Sequence, residues 1–174
     1  FAFFKAASQA LMTAFATGSS MATLPVTLAT LEKKLEVGHD SARLAACVGT
    51  NFNNDGIMLY EVVAALFIAQ INAISLGTAD KAKLAVTSAL AAAGIAGVPE
   101  AGLITLSLVL SSVGLPLASL PVLLTVDWLL GRFRAMTNVT SDLLVATVLD
   151  AVGGKSTEPT SLAPPEPSAA EPKP

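Results

Sequence analysis

VGTNFNNDGIMLYEVVAALFIAQ, residues 48–70, decides the fold. Its centre, Asn53-Asn54-Asp55-Gly56, would be an ordinary turn signal in a polar loop. Here it lies between two stretches of small and apolar residues that read as two halves of one helix. An unwound segment inside hydrocarbon leaves backbone N–H and C=O groups that water cannot satisfy, so it is tolerated only where it packs in protein or lines a polar cavity. The quartet therefore reads as a helix break with a purpose.

Working outward, the same pattern recurs. Segment 1–31 is apolar at both ends, with Thr17-Gly18-Ser19-Ser20 at its middle. The stretch above is the centre of segment 42–76. Segment 82–115 carries Gly94-Ile95-Ala96-Gly97-Val98-Pro99-Glu100 at its centre, and segment 117–152 carries Arg132, Arg134, Asn138 and Asp142. No charge falls between Lys5 and Glu32, between Glu61 and Asp80, between Lys83 and Glu100, or between Glu100 and Asp127. A membrane-crossing helix takes about 20 apolar residues, and these gaps match or approach that length. The chain of 174 residues is 53% hydrophobic and 13% charged, with a mean hydropathy of +0.66. An ordinary soluble domain carries about 25% charge. Residues 153–174, rich in Pro, Ser and Glu, read as a disordered tail.

The order hairpin-like segment, then polar-centred helix, occurs twice. An odd number of crossings separates the two hairpins, so they must enter from opposite faces, as in an inverted repeat with binding at mid-membrane. The expected fold is thus an all-α membrane protein: two re-entrant helical hairpins and two discontinuous transmembrane helices in an inverted repeat, over residues 1–152. Lys5, Lys33, Lys34, Arg43, Lys155 and Lys173 fall on one side of this topology, and only Lys81 and Lys83 on the other. The excess of positive charge puts the first side, with the C-terminus, in the cytoplasm.

Composition also excludes functions. The net charge is −3 and no basic stripe with interleaved aromatics is present, so nucleic-acid binding is not expected. Cys47 and His39 are each the only residue of their kind, which leaves neither a disulfide framework nor a nucleophile–base pair. An intramembrane enzyme is not expected.

Arg134, Asn138 and Asp142 stand at i, i+4 and i+8, one stripe on a helix. Charges in an apolar segment are costly and need partners. Arg134 should face an anion, and Asp142 a cation or a wet cavity. The two are about 12 Å apart along the axis, too far to pair directly. Carbonyls of the unwound segment and the Asp55 carboxylate are the oxygen donors that a hard monovalent cation takes, and Asn138 and Asp142 could complete the shell. Ser19 and Ser20 at one tip, and Gly97 and Val98 at the other, would bring hydroxyls and free N–H groups to the same depth, where helix N-termini favour a carboxylate.

TAFATGSSMATLPVTL, VGTNFNNDGIMLYEVVAALFIAQ, GIAGVPEAGLITLSLVLSSVGLP and VDWLLGRFRAMTNVTSD resemble, in order and spacing, the core motifs of the dicarboxylate/amino acid:cation symporters, which include the glutamate transporters. The resemblance covers about residues 1–152. It implies cation-coupled symport, with sodium the expected coupling ion, of acidic amino acids or dicarboxylates across the plasma membrane (the inner membrane of a bacterium). A non-transporting binding or regulatory protein derived from the family is the alternative. Carried over, Ser20 and the Val98 backbone would hold one substrate carboxylate and Arg134 the second. Gly49, Asn53, Asn138 and Asp142 resemble one sodium site, and Asp55 with Asn138 part of another. The resemblance further implies that this half moves as an elevator against a trimerising N-terminal scaffold, which this chain lacks. No cofactor beyond the coupling ions is implied.

The chain departs from the family pattern at several positions. Asn54 and Ile57 stand where Met and Thr are usual, Met21 where a further Ser is common, and Ala135 where a Thr follows the key Arg. Gly131 stands where amino-acid carriers place an Asp for the substrate ammonium. A desolvated ammonium needs a counter-charge, so Gly131 favours a dicarboxylate, while VDWLLGRFR otherwise resembles the glutamate-transporter branch.

Overall fold

A computed structural model describes residues 1–95 and 101–153, with Ala101 by its backbone alone. Among the described residues there is no strand. The order is α1 (Ala2–Thr17), α2 (Ser20–Lys34), α3 (His39–Phe52), α4 (Asp55–Ile71), α5 (Thr78–Gly94), α6 (Ala101–Ser112), a 3-10 turn (Leu117–Ser119) and α7 (Leu120–Gly153). Gly97, Val98 and the Pro-rich tail lie outside the described residues.

The helices α1 and α2 fold back on each other. The chain reverses at Gly18, whose φ of 65° is left-handed and whose N–H closes α1 on the Ala14 carbonyl at 2.8 Å. Ser19 then caps α2 by accepting from the Ala22 N–H at 3.1 Å. Thr17 and Thr23 hydroxyls meet at 3.3 Å beside this turn, and Lys34 Nζ donates to Gln9 at 2.9 Å near the other end, so the pair is antiparallel along its length.

The predicted break is present: α3 ends at Phe52, α4 begins at Asp55, and Asn53 and Asn54 between them are non-helical. The last helix corrects the sequence reading. It was expected to be discontinuous, and it is one unbroken helix of 34 residues. Its polar residues cost only tenths of a kcal/mol each as helix formers. Their hydroxyls turn back onto carbonyls of the preceding turn, Thr137 to Phe133 at 2.9 Å and Thr140 to Met136 at 2.7 Å. Pro121 sits in the first turn, where its missing N–H breaks no bond. Helices also outrun the apolar segments: α2 continues to Lys34, α3 starts at His39 and α5 at Thr78.

Each half of α7 serves one of two cores. Its C-terminal half packs Ala135, Val139, Leu143 and Ala146 against Ala7, Ala10 and Ala14 of α1, Leu31 of α2, and Ala42 and Ala46 of α3. The preponderance of alanine lets these backbones approach closely. At the other end, Leu123 joins Tyr60, Ala64 and Ile68 of α4, Leu84 of α5, and Leu106, Val109 and Leu110 of α6. Each core thus combines a helix pair, half of the broken helix and half of α7. The Gly38 N–H donates to Asp150 at 2.9 Å, and Asn72 donates to Ser119 at 2.9 Å, so α3–α4 and α7 run antiparallel from end to end. His39–Ile71 and Leu117–Gly153 are both long and apolar enough to cross a membrane. Large apolar side chains face outward from them, among them Leu59, Val63, Phe67, Val122, Val126 and Trp128.

Candidate functional site

The break delivers two helix ends to mid-length of α7. The last carbonyls of α3 and the first N–H groups of α4 have no partners within their own helices. These ends bear partial charges of opposite sign, so one attracts a cation and the other an anion. Residues of α7 answer them. Asn138 Oδ1 accepts from the Gly56 N–H at 2.7 Å, satisfying one orphan donor of α4. Asn53 donates to Asp142 Oδ1 at 2.7 Å and, more weakly, to the Asn138 carbonyl at 3.4 Å. Ser141 donates to Asp55 Oδ2 at 2.6 Å.

Close approach requires glycine at two places. A Cβ on Gly49 would run into the Asp142 carboxylate, and a Cβ on Gly56 into the Arg134 main chain. Gly49, Asn53, Asp55, Asn138 and Asp142 are therefore all brought together by the structure. Asn138 and Asp142 are buried and Asp55 is half-buried. The donors are carboxylate, amide and main-chain oxygens, a set that suits a hard cation and offers nothing to a soft one.

Arg134 lies one helical turn before Asn138. Its guanidinium is engaged by Asp127 through two bonds, Nη1 to Oδ1 at 2.9 Å and Nη2 to Oδ2 at 3.2 Å. It also lies over the Tyr60 ring at 4.2 Å. The anion expected beside Arg134 is thus, in this structure, Asp127. The fork passes between two glycines: a Cβ would sit 3.5 Å from Nη1 at Gly102 and 3.2 Å from Nη2 at Gly131.

Phe15 packs edge-on against Phe133 at 5.3 Å, which sets the tip of the α1–α2 pair, with Ser19 and Ser20, near the level of Arg134. The Ser19 hydroxyl is used as the cap of α2. At the other pair, Asn54 donates to the carbonyls of Ala92 and Ile95 at 3.0 and 2.9 Å.

Three groups at this site are absent from the sequence reading: Asp127, Tyr60 and Glu61. Glu61 is fully buried, neither of its carboxylate oxygens has a hydrogen-bond partner among the described residues, and the hydroxyls of Ser88 and Thr105 are its polar neighbours. A signal existed. Read for gaps between charges, Glu61 and Asp127 mark borders; read for charges within apolar helices, both fall inside the spans and demand partners.

A profile of the sodium:dicarboxylate symporter family matches residues 1–152. The chain belongs to this family. It is 44% identical over 151 residues to excitatory amino acid transporter 3 of Mus musculus, covering 87% of this chain and 29% of that protein. Excitatory amino acid transporter 4 of Mus musculus is 43% identical over 150 residues (86% and 27%), and excitatory amino acid transporter 5 of Homo sapiens 44% over 147 residues (84% and 26%). The chain spans less than a third of the length of these curated relatives. These relatives are transporters and not enzymes.

Proposed function

We propose that residues 1–152 are the substrate- and ion-binding core of a sodium-coupled symporter of dicarboxylates or acidic amino acids in the plasma membrane. The observation that carries this reading is the convergence of Gly49, Asn53, Asp55, Asn138 and Asp142 on a helix break at mid-length of α7, one turn from the Arg134 fork. A carboxylate cluster and a guanidinium that close together, both inside apolar spans, suit a site that takes a cation and an anion at once.

In this reading the α1–α2 and α5–α6 pairs are re-entrant hairpins entering from opposite faces, and the cytoplasmic face carries Lys33, Lys34, Arg43 and the C-terminus. Sodium ions take the oxygen donors at the break. Ser19 and Ser20, with the Gly97–Val98 backbone, receive one substrate carboxylate, and Arg134 and Asn138 the other end of the molecule. Arg134 exchanges or shares Asp127 when the substrate arrives, because a guanidinium accepts a second carboxylate through its remaining donors. The unit moves as an elevator against N-terminal helices that assemble a homotrimer, surrounded by lipid. Gly131 contributes no carboxylate for a substrate ammonium, and Asp127 is already engaged by the fork, which supports a dicarboxylate such as succinate; the names of the relatives support an acidic amino acid.

The test is uptake by the full-length protein in vesicles of labelled succinate and labelled aspartate, with and without a sodium gradient. Sodium-driven uptake of one of them, lost by about 100-fold or more in Arg134→Ala, is expected. Removing one partner of a buried charge pair costs roughly 3–5 kcal/mol, enough for that loss. Sodium-driven uptake that survives Arg134→Ala unchanged would remove Arg134 from the substrate site.

A further inference from the structure

Among the described residues, Asn54 is the side chain whose hydrogen bonds tie the helix break to α5, and it stands where the family usually has Met. It is 5% exposed. Both of its amide hydrogens are used, on the Ala92 carbonyl at 3.0 Å and the Ile95 carbonyl at 2.9 Å. Its own Oδ1 accepts from Asn138 Nδ2 at 3.4 Å. Asn138 in turn accepts from the Gly56 N–H, and Asn53, the neighbour of Asn54, donates to Asp142. The helix α5 packs on α4 and α6, touches α3 lightly and at most grazes α7. Among the described residues, the polar path from the Asp142–Asn138 cluster to the end of α5 therefore runs through one amide.

The chemistry of that amide makes the path specific. The carbonyls of Ala92 and Ile95 lie at the C-terminal end of a helix, where carbonyls lack partners within the helix. An asparagine can donate to two of them while accepting on its oxygen. A thioether can donate to neither. In a low-dielectric interior such bonds are individually strong and costly to leave unmade, so the three groups move together or the link is broken.

We propose that Asn54 is a positioning residue that makes the placement of the C-terminal turn of α5 depend on cation occupancy of the cluster at the break. The inference rests on the transporter reading for the presence of sodium in that cluster. Sodium drawing in Asn138 and Asp142 fixes the Asn138 amide, which fixes Asn54, which holds the Ala92 and Ile95 carbonyls.

The experiment is hydrogen–deuterium exchange on the purified full-length protein, with and without sodium, following two peptides: one across the break (residues 50–58) and one across the end of α5 (residues 88–95). In the parent, sodium slows exchange in both by about tenfold or more. In Asn54→Leu, the break peptide keeps its sodium protection and the α5 peptide loses it, to within about twofold. Asn54→Met, which is uncharged and donates to neither carbonyl, gives the same split and serves if the leucine variant does not fold. Sodium protection of the α5 peptide that persists in either folded variant overturns the proposal. So does a parent in which sodium protects the break alone. A parent that shows no sodium effect in either peptide and no sodium-driven uptake overturns the transporter reading together with it, and is thereby distinguished from failure of the relay alone.

Discussion

The broken helix α3–α4 and the unbroken helix α7 cross the molecule side by side and antiparallel, yet they furnish the site by opposite means. At Asn53 and Asn54 the first abandons helical geometry, and what it gains is main chain: orphan carbonyls from α3, orphan N–H groups from α4 and the field of two facing helix ends. The second keeps every turn and supplies side chains at a helical interval, Arg134, Asn138 and Asp142. A break needs a rigid partner. Asn138 and Asp142 can meet the Gly56 N–H and the Asn53 amide at 2.7 Å because the helix carrying them is unbroken. Two broken helices facing each other would have left the loose ends of both without a template.

The sharpest way to break the comparison is to force the two helices apart where main chain meets main chain. A Cβ at Gly56 falls on the Arg134 backbone, which has no rotamer to yield. Overpacking of this kind costs about 1–3 kcal/mol and sometimes more, and Gly56→Ala should lie at the upper end. A thermal melt of the full-length protein in detergent should show the largest drop of any single substitution at the site, with sodium unable to restore the parent midpoint.

Gly49→Ala probes the same crossing one half-helix away, and there the obstacle is a side chain. The new methyl displaces the Asp142 carboxylate, which can swing on its own torsions. Stability should therefore suffer less than in Gly56→Ala, while the sodium concentration for half-maximal protection from thermal unfolding should rise by about tenfold, the equivalent of ~1.4 kcal/mol. Equal stability losses in the two variants, with sodium dependence unchanged in both, would remove the distinction between the two contacts.

How much of this was legible beforehand differs between the same two helices. The break at Asn53–Asn54 was plain, because two turn-forming asparagines before Asp-Gly have no other use inside an apolar run. Continuity of α7 was not. Arg, Thr and Asn interrupt hydropathy without interrupting hydrogen bonding, and a reading by polarity conflates the two. The pairing of Arg134 was missed for a directional reason. Side chains on a helix lean toward its N-terminus, so Arg134 reaches back two turns to Asp127 on the same face and not onward toward Asp142. The alanine core that seats α1 on α3 and α7 was also invisible, since alanine carries no pattern strong enough to mark a face. That the polar residues of α3–α4 and α7 meet was legible because carboxylates and carboxamides in apolar spans have so few permissible partners that they must find each other.

The smallest expected effect lies where the two helices meet through a single hydroxyl. Ser141, one residue before Asp142, donates to Asp55 Oδ2 at 2.6 Å, and among the described residues no other hydrogen bond joins α7 to this carboxylate. Both residues are half-buried, so water can replace part of what the hydroxyl supplies. A hydrogen bond to a charged group contributes about 1.5–3 kcal/mol when fully sheltered, and partial exposure should bring Ser141→Ala below ~1 kcal/mol, or less than about fivefold in the sodium requirement. Titration of sodium-dependent thermal protection reads this directly against Gly49→Ala. If Ser141→Ala proved the more damaging of the two, Asp55 and not Asp142 would be the carboxylate on which cation binding chiefly depends, and the break itself, more than the unbroken helix, would be the seat of the ion.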